Sequence, residues 1–188
     1  VVRRLKAAKR PVFMYGRMGR STEDWDTRVA LAEHFGARVV TDVKTGAVFP
    51  TQHPLHVGPP SFFLTEPQTE VLKDADLIVV FDWVDGAGAL RQSETKASVV
   101  NVSIDHHLAN AWSFDHTGPV RADVHIATTA DACVRALANE LSLDVDDEVK
   151  SKPIKVDEPL DTSATSISMS GFSSTLKAVL SGETVTLV

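Results

Sequence analysis

Gly16 and Gly19, with Arg17 between them and Arg20 behind, stand between an apolar run, Pro11 to Tyr15, and the polar stretch Ser21-Thr22-Glu23-Asp24. At the junction of a strand and a helix, two glycines let the backbone approach a phosphate, whose charge the first helical amides and the arginines would meet. The dinucleotide fingerprint needs a further glycine three residues on, and Thr22 stands there instead. The same glycines serve equally well as a plain turn, and Arg17 and Arg20 can bridge to Glu23 or Asp24. Asp82 and Asp105 each follow an apolar run. An acid in that place either takes a ribose hydroxyl pair or caps the next turn, and neither has the partner that a general acid and base pair requires. Gly16, Arg17, Gly19, Asp82 and Asp105 are therefore candidates for binding a cofactor rather than for catalysis. Phosphates would lie over Gly16 to Gly19 and a ribose toward Asp105, provided the strands ending at Tyr15 and Phe81 are neighbours.

Other constellations are weaker. Asp105, His106, His107, His116 and His125 are ligand types for zinc or non-haem iron, yet adjacent histidines point apart and no HxH or HExxH pattern exists, so they read as ordinary loop residues. Ser21, Ser61, Ser93 and Ser103 lie outside any G-x-S-x-G elbow. Cys133 adjoins an apolar helical stripe and reads as core.

The elements that would position these residues centre on Leu77-Ile78-Val79-Val80-Phe81, a continuous apolar run suited to an interior parallel strand covered on both faces. Before it, the spacing predicts a short helix over Val1 to Lys9, a strand over Pro11 to Tyr15, and a helix capped by Ser21 that buries Trp25, Val29, Ala32 and Phe35 and stops at Gly36. A strand follows over Ala37 to Thr41, then an irregular excursion from Asp42 to Pro60 and a helix capped by Thr65 with Val71, Leu72 and Ala75 inward. After Phe81 come a short helix over Ala87 to Glu94, strands over Val99 to Ile104 and Val124 to Ile126, and a helix with Ala130, Val134, Leu137 and Leu141 on one face. Strands alternating with helices predict an α/β, doubly wound, mostly parallel sheet of five or six strands with helices on both faces, Rossmann-like in design.

Composition narrows the function classes. The 188 residues carry a formal net charge of -6 and a sequence pI of about 5.6, without a basic cluster large enough for nucleic acid. One cysteine excludes an internal disulfide. No run of eighteen apolar residues exists, so a soluble, cytoplasmic protein without membrane contact is expected. From Ser142 the chain turns acidic and then serine- and threonine-rich, as linkers do. Helical spacing returns at Phe172, Leu176, Val179 and Leu180, and Thr184 to Val188 alternates like a strand. The first residue is not methionine and the last are apolar, which suggests a piece of a longer chain.

Taken in order, Arg10-Pro11-Val12-Phe13-Met14-Tyr15-Gly16, Leu31-Ala32-Glu33, Gly36-Ala37-Arg38-Val39-Val40-Thr41, Gly46-Ala47-Val48-Phe49-Pro50, His53-Pro54-Leu55 and Val57-Gly58 closely resemble the central domain of thiamine-diphosphate-dependent enzymes of the acetolactate synthase and benzoylformate decarboxylase type. Leu72 to Val80 and Val100 to Asp105 extend the resemblance, which covers roughly Leu5 to Leu141. It implies a central Rossmann-like domain over 1–141, with 142–188 as linker and entry into a missing pyrophosphate-binding domain. It further implies a parent lyase or transferase, a homo-dimer or tetramer, acting on a 2-keto acid or related carbonyl compound. The flanking pyrimidine-binding and pyrophosphate-binding domains of that parent hold thiamine diphosphate, Mg²⁺ and the catalytic glutamate, so the central domain by itself is expected to be non-catalytic. In some members it binds FAD or the ADP portion of coenzyme A. Here Asp82-Trp83, His106-His107 and Trp112 to Phe114 depart from the family's usual residues and count against a nucleotide. The competing reading is a self-standing nucleotide-binding module built on Gly16, Gly19 and Asp105.

Overall fold

The computed structural model describes residues 1–105, 118–143, 166 and 168–180. The chain divides into two units, Val1–Lys152 and Pro153–Val188. The first opens with α1 (Val2–Ala7), β1 (Pro11–Tyr15), α2 (Thr22–Phe35) and β2 (Arg38–Thr41). It continues with α3 (Glu66–Asp74), β3 (Leu77–Phe81), α4 (Gly86–Ser93), β4 (Ser98–Val102), β5 (Val124–Ile126) and α5 (Ala130–Glu140). In the second unit, α6 (Met169–Val179) begins at Ser168, whose hydroxyl accepts from Gly171 N–H at 3.0 Å. The expected linker over 144–165, the terminal strand at 184–188 and the segment from His106 to His116 lie outside the described residues. Among those described, no helix is long and apolar enough to cross a membrane.

The strands form one parallel sheet in the order β2-β1-β3-β4-β5, with Tyr15 registered against Phe81 and Phe81 against Val102. This is the Rossmann-like, doubly wound arrangement that the alternating pattern predicts. Because both faces are covered, every residue of β1 and β3 is buried, which is why these segments read as unbroken apolar runs rather than alternating ones. The pleat divides them by size. Phe13, Tyr15, Val79 and Phe81 pack with Leu5, Val29, Leu31, Val134 and Leu137 on one face, whereas Val12, Met14, Ile78 and Val80 meet Leu72, Ala75 and Ala89 on the other. The first face carries an aromatic stack: Phe81 lies 5.7 Å from Phe13 and 5.1 Å from Tyr15, and Phe49 lies 6.0 Å from Tyr15.

Helix α2 departs from expectation on its inner side. Val29 and Ala32 are fully buried, but Trp25 and Phe35 are only half-buried, and Thr27, Arg28 and Leu31 are buried with them. The stripe is broader and more polar than an apolar count along the helix suggests. Strand β4 ends at Val102, short of the expected Ile104, which is 66% exposed.

The long excursion after β2 protects the sheet edge. Val39 N–H donates to Leu55 O and Val57 N–H to Val39 O, both at 2.8 Å, so a segment around His56 occupies the outer hydrogen-bonding groups of β2. Two histidines hold this segment. His53 Nε2 lies 3.1 Å from Glu33 Oε1, and buried His56 Nε2 lies 2.9 Å from Thr41 Oγ1. Burial pushes the His56 pKa down, a hydrogen bond to the Thr51 backbone opposes it, and His53 adds to the lowering.

Gly16 owes its identity to space. A Cβ there would stand 2.2 Å from the Asp82 carbonyl oxygen and 2.6 Å from Trp83 Cα. At this point the turn after β1 lies directly on the end of β3: Gly16 N–H donates to Phe81 O and Arg17 N–H to Asp82 O, both at 2.9 Å. Asp82 completes the junction from a left-handed conformation, φ 49°, with its N–H donating to Val102 O at 2.8 Å.

Two outcomes follow. Gly16→Ala must push apart two backbones rather than a flexible side chain, so it should cost about 3 kcal/mol or more in urea denaturation; a midpoint equal to the parent's would disprove the close contact. Since His56 binds its proton more weakly folded than unfolded, stability is complete well above the unfolded pKa of about 6.5 and is lost as pH falls below it. The urea midpoint should therefore drop between about pH 7.5 and about pH 5.5, and less steeply in His56→Gln; equal slopes would acquit His56.

Candidate functional site

The strand order reverses direction between β1 and β3, which places a crevice at their carboxyl ends. Arg17 spans it. Its Nη2 donates to Asp82 Oδ1 at 2.9 Å and also to Asp105 Oδ2, the hydrogen bond to Asp82 being the larger cause of a raised guanidinium pKa and that to Asp105 the next. Ser103 Oγ donates to Asp82 Oδ1 at 2.7 Å and accepts from Asp105 N–H at 3.0 Å. Four of the five candidates, Gly16, Arg17, Asp82 and Asp105, thus meet at one point. Asp82 neither caps the following helix, a role taken by Asp85 through Gly88 N–H at 3.0 Å, nor points to open solvent.

Gly19 sits farther along, enclosed from two sides. Its N–H donates to Asp131 Oδ2 at 2.6 Å and its carbonyl accepts from Arg28 Nη2 at 2.8 Å. A Cβ on it would stand 3.1 Å from the Asp131 carboxylate and 3.3 Å from that of Asp24. Arg28 is completely buried, and its Nε donates to Asp24 O at 3.0 Å. Burial lowers its pKa, and Asp131, Tyr15 and Asp24 counter that in turn. Arg28 Nη1 and Asp131 Oδ1 are buried without a hydrogen-bond partner among the described residues. Asp24, in turn, pairs with Arg135 and accepts from Ser21 Oγ at 2.7 Å. The turn between β1 and α2 is therefore held by a small network of buried and half-buried charges from α2 and α5.

Beyond Arg17 lies a cavity of about 430 Å³ whose walls include Arg17, Arg20 and Lys44 as cations and Asp82 and Asp131 as anions, with Gly46 and Thr129 between. Lys44 Nζ is 2.9 Å from Asp42 Oδ1. The amides of Gly16, Arg17 and Gly19 are spent on Phe81, Asp82 and Asp131. With these three amides engaged, what the wall presents to a ligand is side-chain charge: Arg20, together with Arg17 and Lys44 in their ion pairs.

Sequence reasoning missed Arg28, Asp131 and Lys44. Arg28 was legible: positions 25, 28, 29, 32 and 35 make one helical stripe, and an arginine within it is a buried charge in waiting. Asp131, in the first turn of α5, gave only an ordinary helix-start signal. Nothing marked Lys44, which reaches the cavity from an irregular loop. Ser103, read as a nucleophile to be dismissed, is instead the hydroxyl that links the two acids.

Comparison with known proteins bears on this arrangement. The sequence family described as thiamine pyrophosphate enzyme, central domain, matches residues 1–137. No curated protein matches the sequence. Among solved structures, an enzyme from Mycobacterium smegmatis described as thiamin diphosphate-dependent superimposes with a TM-score of 0.51 at 22% identity, over 85% of this chain and 30% of that one. At that identity the likeness speaks for the fold, and the chain spans less than a third of the enzyme's length. The parallel sheet and the family match over most of its residues agree, and the chain belongs to the central-domain family of thiamine pyrophosphate enzymes.

Proposed function

We propose that the chain is a non-catalytic domain of a larger thiamine-diphosphate-dependent enzyme acting on a 2-keto acid or related carbonyl compound, and that its work is scaffolding and subunit contact. The observation that carries this reading is Arg17, which spans the crevice to pair with both Asp82 and Asp105. With the amides of Gly16, Arg17 and Gly19 also engaged, the polar groups of the switch point join strands to one another. On this reading residues 1–141 form the domain and 142–188 lead into a pyrophosphate-binding domain. A pyrimidine-binding domain flanks the other side, and the parent is a cytoplasmic homo-dimer or tetramer.

The described residues do not fit thiamine diphosphate and Mg²⁺. Both acids at the switch point are already ion-paired with Arg17, and no group of three or more His, Cys, Asp or Glu among the described residues is arranged to hold a metal ion. On the proposed reading the cofactor and its metal are held by the flanking domains. A second reading, a nucleotide-binding module, has one observation in its favour: the cavity of about 430 Å³ has Arg17, Arg20 and Lys44 in its wall and suits the phosphates of FAD or another ADP-containing ligand.

Two titrations separate these readings. Calorimetry of the chain with thiamine diphosphate and Mg²⁺ should give no saturable heat, together with no decarboxylation of 2-keto acids; a micromolar, saturable signal would overturn the non-catalytic assignment. Titration with ADP, followed by amide NMR, should leave Gly16, Gly19 and Asp105 essentially unshifted. Localised shifts there with a dissociation constant below about 100 μM, roughly -5.5 kcal/mol, would promote the nucleotide reading.

A further inference from the structure

The excursion after β2 is fastened to the domain in two different ways. Its first part sinks Val48 and Phe49 into the core. Its second part runs through the exposed residues Thr51, Gln52 and Pro54 and returns to the sheet at His56 and Val57. There it is held by two backbone bonds, Val39 N–H to Leu55 O and Val57 N–H to Val39 O, and by two imidazoles, His53 on Glu33 of α2 and His56 on Thr41 of β2. The pairing with β2 is a single isolated bridge, whereas β2 is registered against β1 over four residues. Both rings are set up to be neutral. His53 Nδ1 accepts from Leu55 N–H at 3.2 Å, so its own proton is on Nε2, toward Glu33, and a second proton would remove the acceptor of Leu55. His56 is 8% exposed and stacks on Phe49 with ring centres 6.2 Å apart. The ionisable groups nearest it are His53, with Glu33 beyond, and the Asp42 and Lys44 pair that follows Thr41. Among the described residues no acid pairs with His56, so a proton there is an uncompensated charge in an apolar setting.

We propose that residues 51–57 form an acid-released strap: proton uptake at His56 undocks the segment from β2 and bares the outer edge of that strand while the rest of the sheet stays closed. A segment joined by one bridge and two rings opens at lower cost than a ladder buried on both faces. Once it is open, the N–H and C=O of Val39 are exposed as a free strand edge. The released ring takes its proton near pH 6.5 or about there, and the docked ring only at lower pH. Docking is therefore complete above that value and weakens as pH falls below it.

Amide hydrogen exchange of the 188-residue chain, read by NMR as protection over the free-peptide rate, tests the strap. At about pH 7.5 the Val39 and Val57 amides should be at least about tenfold less protected than those of Val79 and Val80 in β3, and low urea should leave their exchange unchanged, which marks a local opening. At about pH 5.5 they should lose a further three- to tenfold or thereabouts, the upper figure being about the ratio of charged to neutral imidazole one unit below its free value. The His56 ring signal should titrate with the same midpoint as that loss. His56→Gln, whose amide can still bond to Thr41 but takes up no proton in this range, should flatten the response. Urea dependence at Val39 and Val57 equal to that at Val79 and Val80, unchanged protection between the two pH values, or a full response surviving in His56→Gln would each overturn the proposal.

Discussion

Two backbones pass each other without a side chain between them where Gly16 lies on Asp82, and the rest of the domain is arranged around that approach. Bringing the turn after β1 onto the end of β3 lets both strands carry their hydrogen bonding to the last residue, with Gly16 and Arg17 extending the ladder beyond Tyr15. Asp82 turns the chain away through a left-handed conformation and uses its N–H, its carbonyl and its carboxylate at once. A short carboxylate tolerates that conformation better than a bulky or branched residue does. The same closeness aims Arg17 across β3 at the acids ending β3 and following β4, so a steric condition on one glycine decides what occupies the crevice.

The charges at this end of the sheet differ in worth because they differ in burial. Arg17 is half-exposed, and an ion pair in that setting is worth up to about 1 kcal/mol and weakens with salt. Arg28 is fully enclosed, and its value lies in the two carbonyls it satisfies, those of Gly19 and Asp24. Removing one member of such a buried set leaves the others unpaired, at a cost well above that of an exposed pair. Position in the fold, rather than charge itself, separates a fixed strut from an adjustable one.

The two faces at the carboxyl ends of the strands consequently have different chemistry. On the α2 and α5 side, charged groups crowd the turn around Gly19 and leave a polar cavity. On the α3 and α4 side, Gln68 and Gln92 bond to the backbone of Pro59, Leu64 and Thr65, and Phe62, Phe63 and Trp83 are among the residues lining a second cavity. Lys44 belongs to both, which makes the excursion after β2 the element that touches each cavity while also covering the sheet edge.

Local pattern was enough to establish the strands, their parallel pairing as a class and the helices between them, because unbroken apolar runs of five residues fit few other settings and Ser21, Thr65 and Gly36 mark helix ends through short-range hydrogen bonds and backbone conformation. Membership of the family was legible for the same reason: Arg10 to Gly58 keeps its fragments in order. Gly16, Arg17, Asp82 and Asp105 were visible as residues of interest, but that Arg17 pairs with both acids depends on β1 lying against β3, a contact between segments 65 residues or more apart in the chain. Burial of Arg28, capture of Gly19 by Asp131 and the bonds from Gln68 and Gln92 to Pro59 and Leu64 are likewise decided by packing. No short-range signal specifies them, since the same arginine, aspartate and glutamines would serve equally well on a solvated surface until the tertiary structure removes the water around them.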